Sequence, residues 1–381
     1  MSFKKVISIS AIKIIKSELI KYDLKKFFPK SKFEIWDLGD YFYKEKIKYL
    51  NSDKNINLKY YKKFKNLDDI LKNLKKLDSN DLLIDSFNIS NLKLFRKIII
   101  NKNIKILQFH LGPIPTLNHE LNFLIYLKIF FNSPKYYLKK IIDPKINRIA
   151  ADYLMVVNRK NIKNLNYKIS SKTKIILSHS FDYYKYLEFS NLKIKPNLKY
   201  RFAVFLDEGV TGHPDYHYLN LNPFCDHQIY FEELRKFFDF LENKLDLKII
   251  IAAHPKIDYS KFKNEFFRKI FYNKTLELVK NSDLVLSHMS TSINFAIIYN
   301  KPIIFLDSNN YVKSFRSHIN LHSNILKSTL INLSNKFNTF DLNNCFKINK
   351  NSYKNYKNRY ITHNTNDSRS PWKILHDYIN Y

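Results

Sequence analysis

Four polar clusters draw attention because each follows directly on a short apolar run. Asp207-Glu208-Gly209 follows RFAVFL, His254-Pro255-Lys256 follows LKIIIAA, Ser290-Thr291-Ser292 follows DLVLSHM, and Asp307 ends PIIFLD. An acidic pair can take a proton from an attacking hydroxyl. Hydroxyls at the start of a helix, beside its free backbone N–H groups, make a phosphate site. Each cluster also has a plainer role: a turn or cap for the acidic pair, a turn with a hydrogen-bonded imidazole for His-Pro, and an N-cap for Ser-Thr-Ser. Position gives them joint weight, because ligands of open parallel sheets bind at the carboxyl ends of the strands.

Glycine use points to the same place. The chain has four glycines in 381 residues, and two of them, Gly209 and Gly212, fall within FLDEGVTGHPDY (205–216). There they would let the backbone bend sharply and come close to a substrate. His213-Pro214-Asp215 either frames that cleft or forms a structural turn. In the first half, FHLGPIPTLNHE (109–120) follows the run IKILQ, and Gly112 with Pro113 and Pro115 makes a stiff loop there. His110 and His119 are candidates to face the cleft, while His179 and His288 read as packing histidines.

The elements that must position these residues are short continuous apolar runs. KKVISIS, FEIWDL, DLLIDSF, IKILQFH, DYLMVVN and KIILSHS occupy the first half, and RFAVFLD, LKIIIAAH, DLVLSH and PIIFLD the second. Amphipathic stretches such as 230–245 and 273–282 lie between them. Continuous rather than alternating strands separated by helices predict parallel sheets covered on both faces, an α/β architecture. Ten strands are many for one sheet, and the weakly patterned segment 189–200 suggests two domains, 1–195 and 201–345. The tail 346–381 ends in a helical pattern after Pro371 and is expected to pack back on the first domain.

Composition bounds the partners. The chain is 45% hydrophobic and carries a formal charge of +31, with 65 Lys and Arg against 34 Asp and Glu. Lys, Asn, Ile, Phe and Tyr are over-used together, the mark of AT-rich codons, and the lysines form no single basic stripe. No nucleic-acid-binding signature is visible, so no nucleic-acid partner is expected. A diffuse positive field still draws a protein toward anionic lipid headgroups or acidic small molecules. Cys225 and Cys345 lack any metal-ligand spacing. With no cleavage site and no run of eighteen apolar residues, the expectation is a cytoplasmic protein, at most peripheral at the inner face of the membrane.

The order Asp-Glu-Gly, His-Pro, Ser-Thr on three second-half strands resembles the bacterial sialyltransferases and polysialyltransferases of GT-B fold. The stretch 201–307 also looks like bacterial surface-polysaccharide glycosyltransferases. The resemblance implies two Rossmann-like domains facing each other across a cleft. It implies Asp207 as general base, with Glu208 as substitute, and a CMP-binding set of His254, Pro255, Lys256, Ser290, Thr291 and Ser292. Gly209, Gly212, His213, His110 and Gly112 would line the cleft. In those families the base motif belongs to the acceptor-side domain, whereas Asp207 falls near the expected domain junction.

The implied reaction is inverting transfer of a sialic-acid-like (nonulosonic) sugar from a CMP-activated donor to a surface glycan or glycolipid acceptor, such as capsule or lipopolysaccharide. One phosphate at the anomeric carbon needs less neutralisation than a diphosphate, so no metal and no resident cofactor are expected. Two alternatives stand beside it: a GT-B transferase or epimerase using another nucleotide sugar such as a UDP-sugar, and a non-catalytic basic α/β binding protein.

Overall fold

The computed structural model describes residues 3–14, 24–43, 58–85, 87–116, 148–165, 167–190, 200–216, 221–257, 265–337 and 342–380, with single positions at 56, 198 and 259. The expected domain junction near residue 195 and His119 lie outside these residues.

The apolar runs form two parallel sheets. The first contains β1 (Lys5–Ser10), β2 (Lys32–Asp37), β3 (Tyr61–Lys63), β4 (Asp81–Asp85), β5 (Lys105–His110), β6 (Tyr153–Val156) and β7 (Lys174–Leu177), in the order β3-β2-β1-β4-β5-β6-β7. The second contains β8 (Phe202–Leu206), β9 (Lys248–Ala252), β10 (Lys269–Phe271), β11 (Leu284–Ser287), β12 (Ile303–Asp307) and β13 (Thr329–Asn332), in the order β10-β9-β8-β11-β12-β13. Each order runs outward from its first strand, then reverses. That reversal is the switch point of a doubly wound sheet, between β1 and β4 in one and between β8 and β11 in the other.

Burial on both faces explains the continuous apolar strands. Ile7, Ile9 and Leu83 face one core of the first sheet, while Val6, Leu82 and Ile84 face the other, as the two-residue period of a strand requires. In the second sheet Asp226 caps the long helix His227–Leu245, accepting from the N–H groups of Gln228 and Ile229. That helix lays Tyr230, Leu234, Phe237, Phe238 and Leu241 against the strands. Cys225 and Cys345 are both buried and free.

The two sheets are tied together at one flank. Asn294 Nδ2 donates to Asp182 Oδ2 at 2.8 Å, and the rings of Tyr186 and Tyr299 meet edge to face at 5.5 Å. The helix Lys350–Tyr356 buries Tyr353 and Tyr356 in the second core. The chain then crosses, and the helix Pro371–Asn380 buries Trp372 and Leu375 in the first core. Among the described residues no helix is long and apolar enough to cross a membrane.

Candidate functional site

Three loops converge at the switch point of the second sheet: 207–213 after β8, 253–257 after β9, and 287–292 after β11. The ladder sets their spacing, since Leu206 pairs with Ala252 on one side and Ser287 on the other.

The adjacent carboxylates of the first loop go to opposite tasks. Asp207 turns inward, 6% exposed, and accepts from Tyr259 Oη at 2.7 Å on Oδ2 and from the Gly209 N–H at 3.0 Å on Oδ1. The space beside it, about 10 Å³ and walled by Tyr230, Phe231, Ile257 and Phe266, has room for roughly one water. Burial raises its pKa against those donors. Gly209 closes the corner with φ +66°, which favours glycine, and a Cβ there would stand 2.0 Å from Ile257 Cδ1 and force that side chain to shift.

Glu208 reaches across to the third loop instead. Its Oε1 accepts from the N–H groups of Met289 at 2.6 Å and His288 at 3.2 Å, and from Ser287 Oγ at 3.3 Å. Burial, with Asp207 beside it, pushes its pKa up to about 8 despite the Met289 N–H. A backbone curve that aims two amides at one oxygen is an anion-binding concavity. Glu208 fills it with a carboxyl that is largely neutral at pH 7.

His254 and His213 meet edge to face, ring centroids 4.7 Å apart. The Lys256 N–H donates to His254 Nδ1 at 3.3 Å, and the Asp215 N–H to His213 Nδ1 at 3.1 Å. An Nδ1 that accepts leaves the proton of a neutral imidazole on Nε2, the arrangement these contacts favour, although Asp215 Oδ2 also lies 3.5 Å from His213 Nδ1. Burial lowers the His213 pKa, which favours that neutral form. Lys256 is half-buried beside exposed Pro255. In the third loop Ser290 Oγ accepts from the Ser292 N–H at 3.2 Å, while Thr291 is exposed.

The side chains of the other expected residues make separate contacts. Asp307 is engaged by the Arg316 guanidinium at 3.1–3.2 Å. His288 is buried: its Nδ1 donates to the Leu306 carbonyl at 2.7 Å, Tyr230 Oη lies 3.2 Å from Nε2, and burial lowers its pKa to about 4. Gly212 continues the turn, its N–H reaching the Gly209 carbonyl at 3.0 Å. In the first sheet, His110 ends β5 half-buried, with burial lowering its pKa, and no side-chain hydrogen bond binds it among the described residues. Gly112 follows in open space.

Sequence reasoning missed Tyr259, which links the first two loops: its hydroxyl donates to Asp207 and accepts from the His254 N–H. Nothing in IDYSKF marks it, because the contact exists only after β8 and β9 pair.

No family model matches the chain, and no curated protein matches it in sequence. Solved structures do match in shape. A variant of the wall teichoic acid polymerase TagF superposes with a TM-score of 0.55 at 14% identity, covering 99% of this chain and 88% of that one. A putative UDP-N-acetylglucosamine 2-epimerase from Listeria monocytogenes gives 0.52 at 11% identity, covering 100% and 95%. The fold is GT-B. In this GT-B chain the second Rossmann-like unit carries the three converging loops, and the first contributes the carboxyl edge that ends in His110.

Proposed function

We propose that this GT-B chain is an inverting glycosyltransferase, with a CMP-linked nonulosonic sugar as donor and a surface glycan as acceptor. The observation that carries the reading is the pair of amides, His288 and Met289, aimed at a single anionic oxygen position now held by Glu208. A donor phosphate oxygen has the charge and size to share or take that position. The neutral Glu208 carboxyl lowers the repulsion that a carboxylate would impose there. The Nε2–H groups of His213 and His254, with the Thr291 hydroxyl, supply further donors to the same phosphate.

In the transfer, the acceptor oxygen attacks the anomeric carbon opposite the phosphate and forms the new C–O bond. The bond to the phosphate oxygen breaks, and CMP leaves with the electron pair. The acceptor proton goes to His110, whose neutral, half-buried ring suits a base. Asp207 acts through position: it fixes Tyr259 and the Gly209 corner, and through them the placement of His254 and Glu208. With a single phosphate to neutralise, the reaction needs no metal.

Thermal-shift titration with CMP, UDP and GDP tests this, because a ligand that binds only the native state raises Tm. CMP is expected to stabilise most, and the stabilisation should survive EDTA. Stronger stabilisation by UDP moves the assignment to a UDP-sugar transferase or epimerase. No stabilisation by any nucleotide, with salt-dependent DNA binding, makes the chain a non-catalytic binding protein.

A further inference from the structure

The helix Ile293–Ile298, which leaves the third loop, is buried at all six positions, and Asn294 is its one polar residue, 1% exposed. Asn294 Nδ2 donates to Asp182 Oδ2 of the first unit at 2.8 Å, and Asn294 Oδ1 has no partner. A carboxylate only accepts, so the amide must turn its NH₂ toward Asp182. An unpaired buried oxygen costs stability that an apolar residue in this helix would not lose. The core therefore gives no reason for an asparagine here, and the link to Asp182 does.

Both ends of that link lead to the site. On the second unit, the N–H groups of Ile293, Asn294 and Phe295 donate to the carbonyls of Ser290, Thr291 and Ser292 at 3.1, 3.2 and 3.0 Å. A shift of Asn294 thus moves the loop that precedes it. On the first unit, Asp182 lies in the first turn of the helix Phe181–Ser190, and the Phe181 N–H donates to the Leu111 carbonyl at 3.1 Å, one residue beyond His110. The path from His110 to Thr291 therefore runs through two backbone hydrogen bonds and one side-chain hydrogen bond. The nearby rings of Tyr186 and Tyr299 meet edge to face, but the Tyr299 hydroxyl has no partner. That contact is not directional, so the register between the helices falls to Asp182 and Asn294.

We propose that Asp182 and Asn294 are a positioning pair, which holds the third loop, and the donor phosphate on it, at a set distance from His110. The proposal rests on the transfer reading for what the loop holds. In-line displacement places the attacking and leaving oxygens on opposite sides of the anomeric carbon, where a shift of about 1 Å costs about 10²-fold in rate. A bond between the unit that carries the base and the loop that holds the leaving group governs that distance.

Amide exchange of the segment 287–295, read by mass spectrometry, and CMP release from CMP-N-acetylneuraminic acid test the pair together. Asn294→Leu and Asp182→Ala are each expected to speed exchange at least about threefold and to lower kcat about 10–100-fold with KM nearly unchanged. Asn294→Leu removes the unpaired oxygen, so its Tm should hold or rise while its turnover falls. The double variant should be no worse than the poorer single, as for two ends of one bond. Asp182→Asn keeps an oxygen that accepts, and both of its readouts should stay within about threefold of the unmodified protein. It also keeps the test open if Asp182→Ala disturbs folding. Unchanged exchange in the single variants, additive losses in the double variant, or an Asp182→Asn protein as impaired as Asp182→Ala overturns the pair. If the unmodified protein releases no CMP and no nucleotide raises its Tm, the transfer reading fails and exchange alone decides the pair. Normal turnover in both single variants overturns the pair and leaves the transfer reading standing.

Discussion

Asp37-Leu38-Gly39 closes β2 in the first sheet much as Asp207-Glu208-Gly209 closes β8 in the second. In both, the Asp carboxylate accepts from the N–H of the glycine two residues on, at 2.8 Å in the first corner and 3.0 Å in the second. In both, a tyrosine hydroxyl donates to the other carboxylate oxygen: Tyr61, on the neighbouring strand β3, to Asp37, and Tyr259, beyond the neighbouring strand β9, to Asp207. Burial raises both Asp pKa values. Neither glycine has room for a Cβ, which would lie 2.4 Å from the Lys13 backbone N at Gly39. The middle residue differs. Leu38 is fully buried in an apolar core, whereas Glu208 crosses to the amides of the third loop. The shared parts are therefore a device for ending a buried strand, and in the proposed reading the chemistry enters through the residue between them.

If the Asp-x-Gly corner is scaffold in both sheets, the base must lie elsewhere. His110→Gln is expected to lower turnover about 10²–10⁴-fold while leaving CMP stabilisation unchanged, read by CMP release and by thermal shift. Turnover near that of the unmodified protein removes His110 and reopens Asp207.

Gly39→Ala and Gly209→Ala should each lose about 1–3 kcal/mol in urea unfolding, from overpacking at both corners and left-handed strain at Gly209. Gly39→Ala is expected to lose more, because its Cβ meets rigid backbone whereas Gly209's meets the tip of an isoleucine. A reversed order would show that the two corners carry strain differently.

Asp37→Asn and Asp207→Asn are expected to behave as a pair, each losing about 1–2 kcal/mol of stability as buried hydrogen bonds rearrange. Residual turnover of Asp207→Asn should track its folded fraction. An Asp207→Asn protein that melts normally yet has lost turnover breaks the comparison and makes Asp207 the base.

The smallest effect sharpens the contrast at the middle residue. The Glu208 pKa rises from 4.5 to about 8 on folding, so its contribution to stability is full below 4.5 and is lost as pH rises through about 8. Glu208→Gln cannot ionise, so its Tm should fall less than that of the unmodified protein between about pH 5 and pH 9. Stabilisation by CMP should weaken above about pH 8 in the unmodified protein and stay flat in the variant. Identical pH profiles would mean that Glu208 is ionised throughout.

The sequence shows the central strands because fully buried parallel strands must be apolar throughout. It does not show β3, β10 and β13, edge strands of three or four residues such as YKK and KIF, whose exposure removes that pattern. The three polar clusters were legible as strand-end residues. The division of labour between Asp207 and Glu208 was not, since beyond a strand's end neighbouring side chains lose their two-residue alternation. Tyr259 and Tyr61 were invisible for a related reason: each matters only through a partner on an adjacent strand.

The return of the helix Pro371–Asn380 to the first core has a consequence for synthesis. Trp372 and Leu375 are fully buried there, yet the last strand of that sheet ends at Leu177, 194 residues before Pro371. At about 5–20 residues per second, a ribosome needs roughly 10–40 s to cover that distance. Throughout that interval the apolar face that Trp372 covers stays bare, while the second sheet is still being made. The first unit therefore reaches its finished core only after the second unit has emerged.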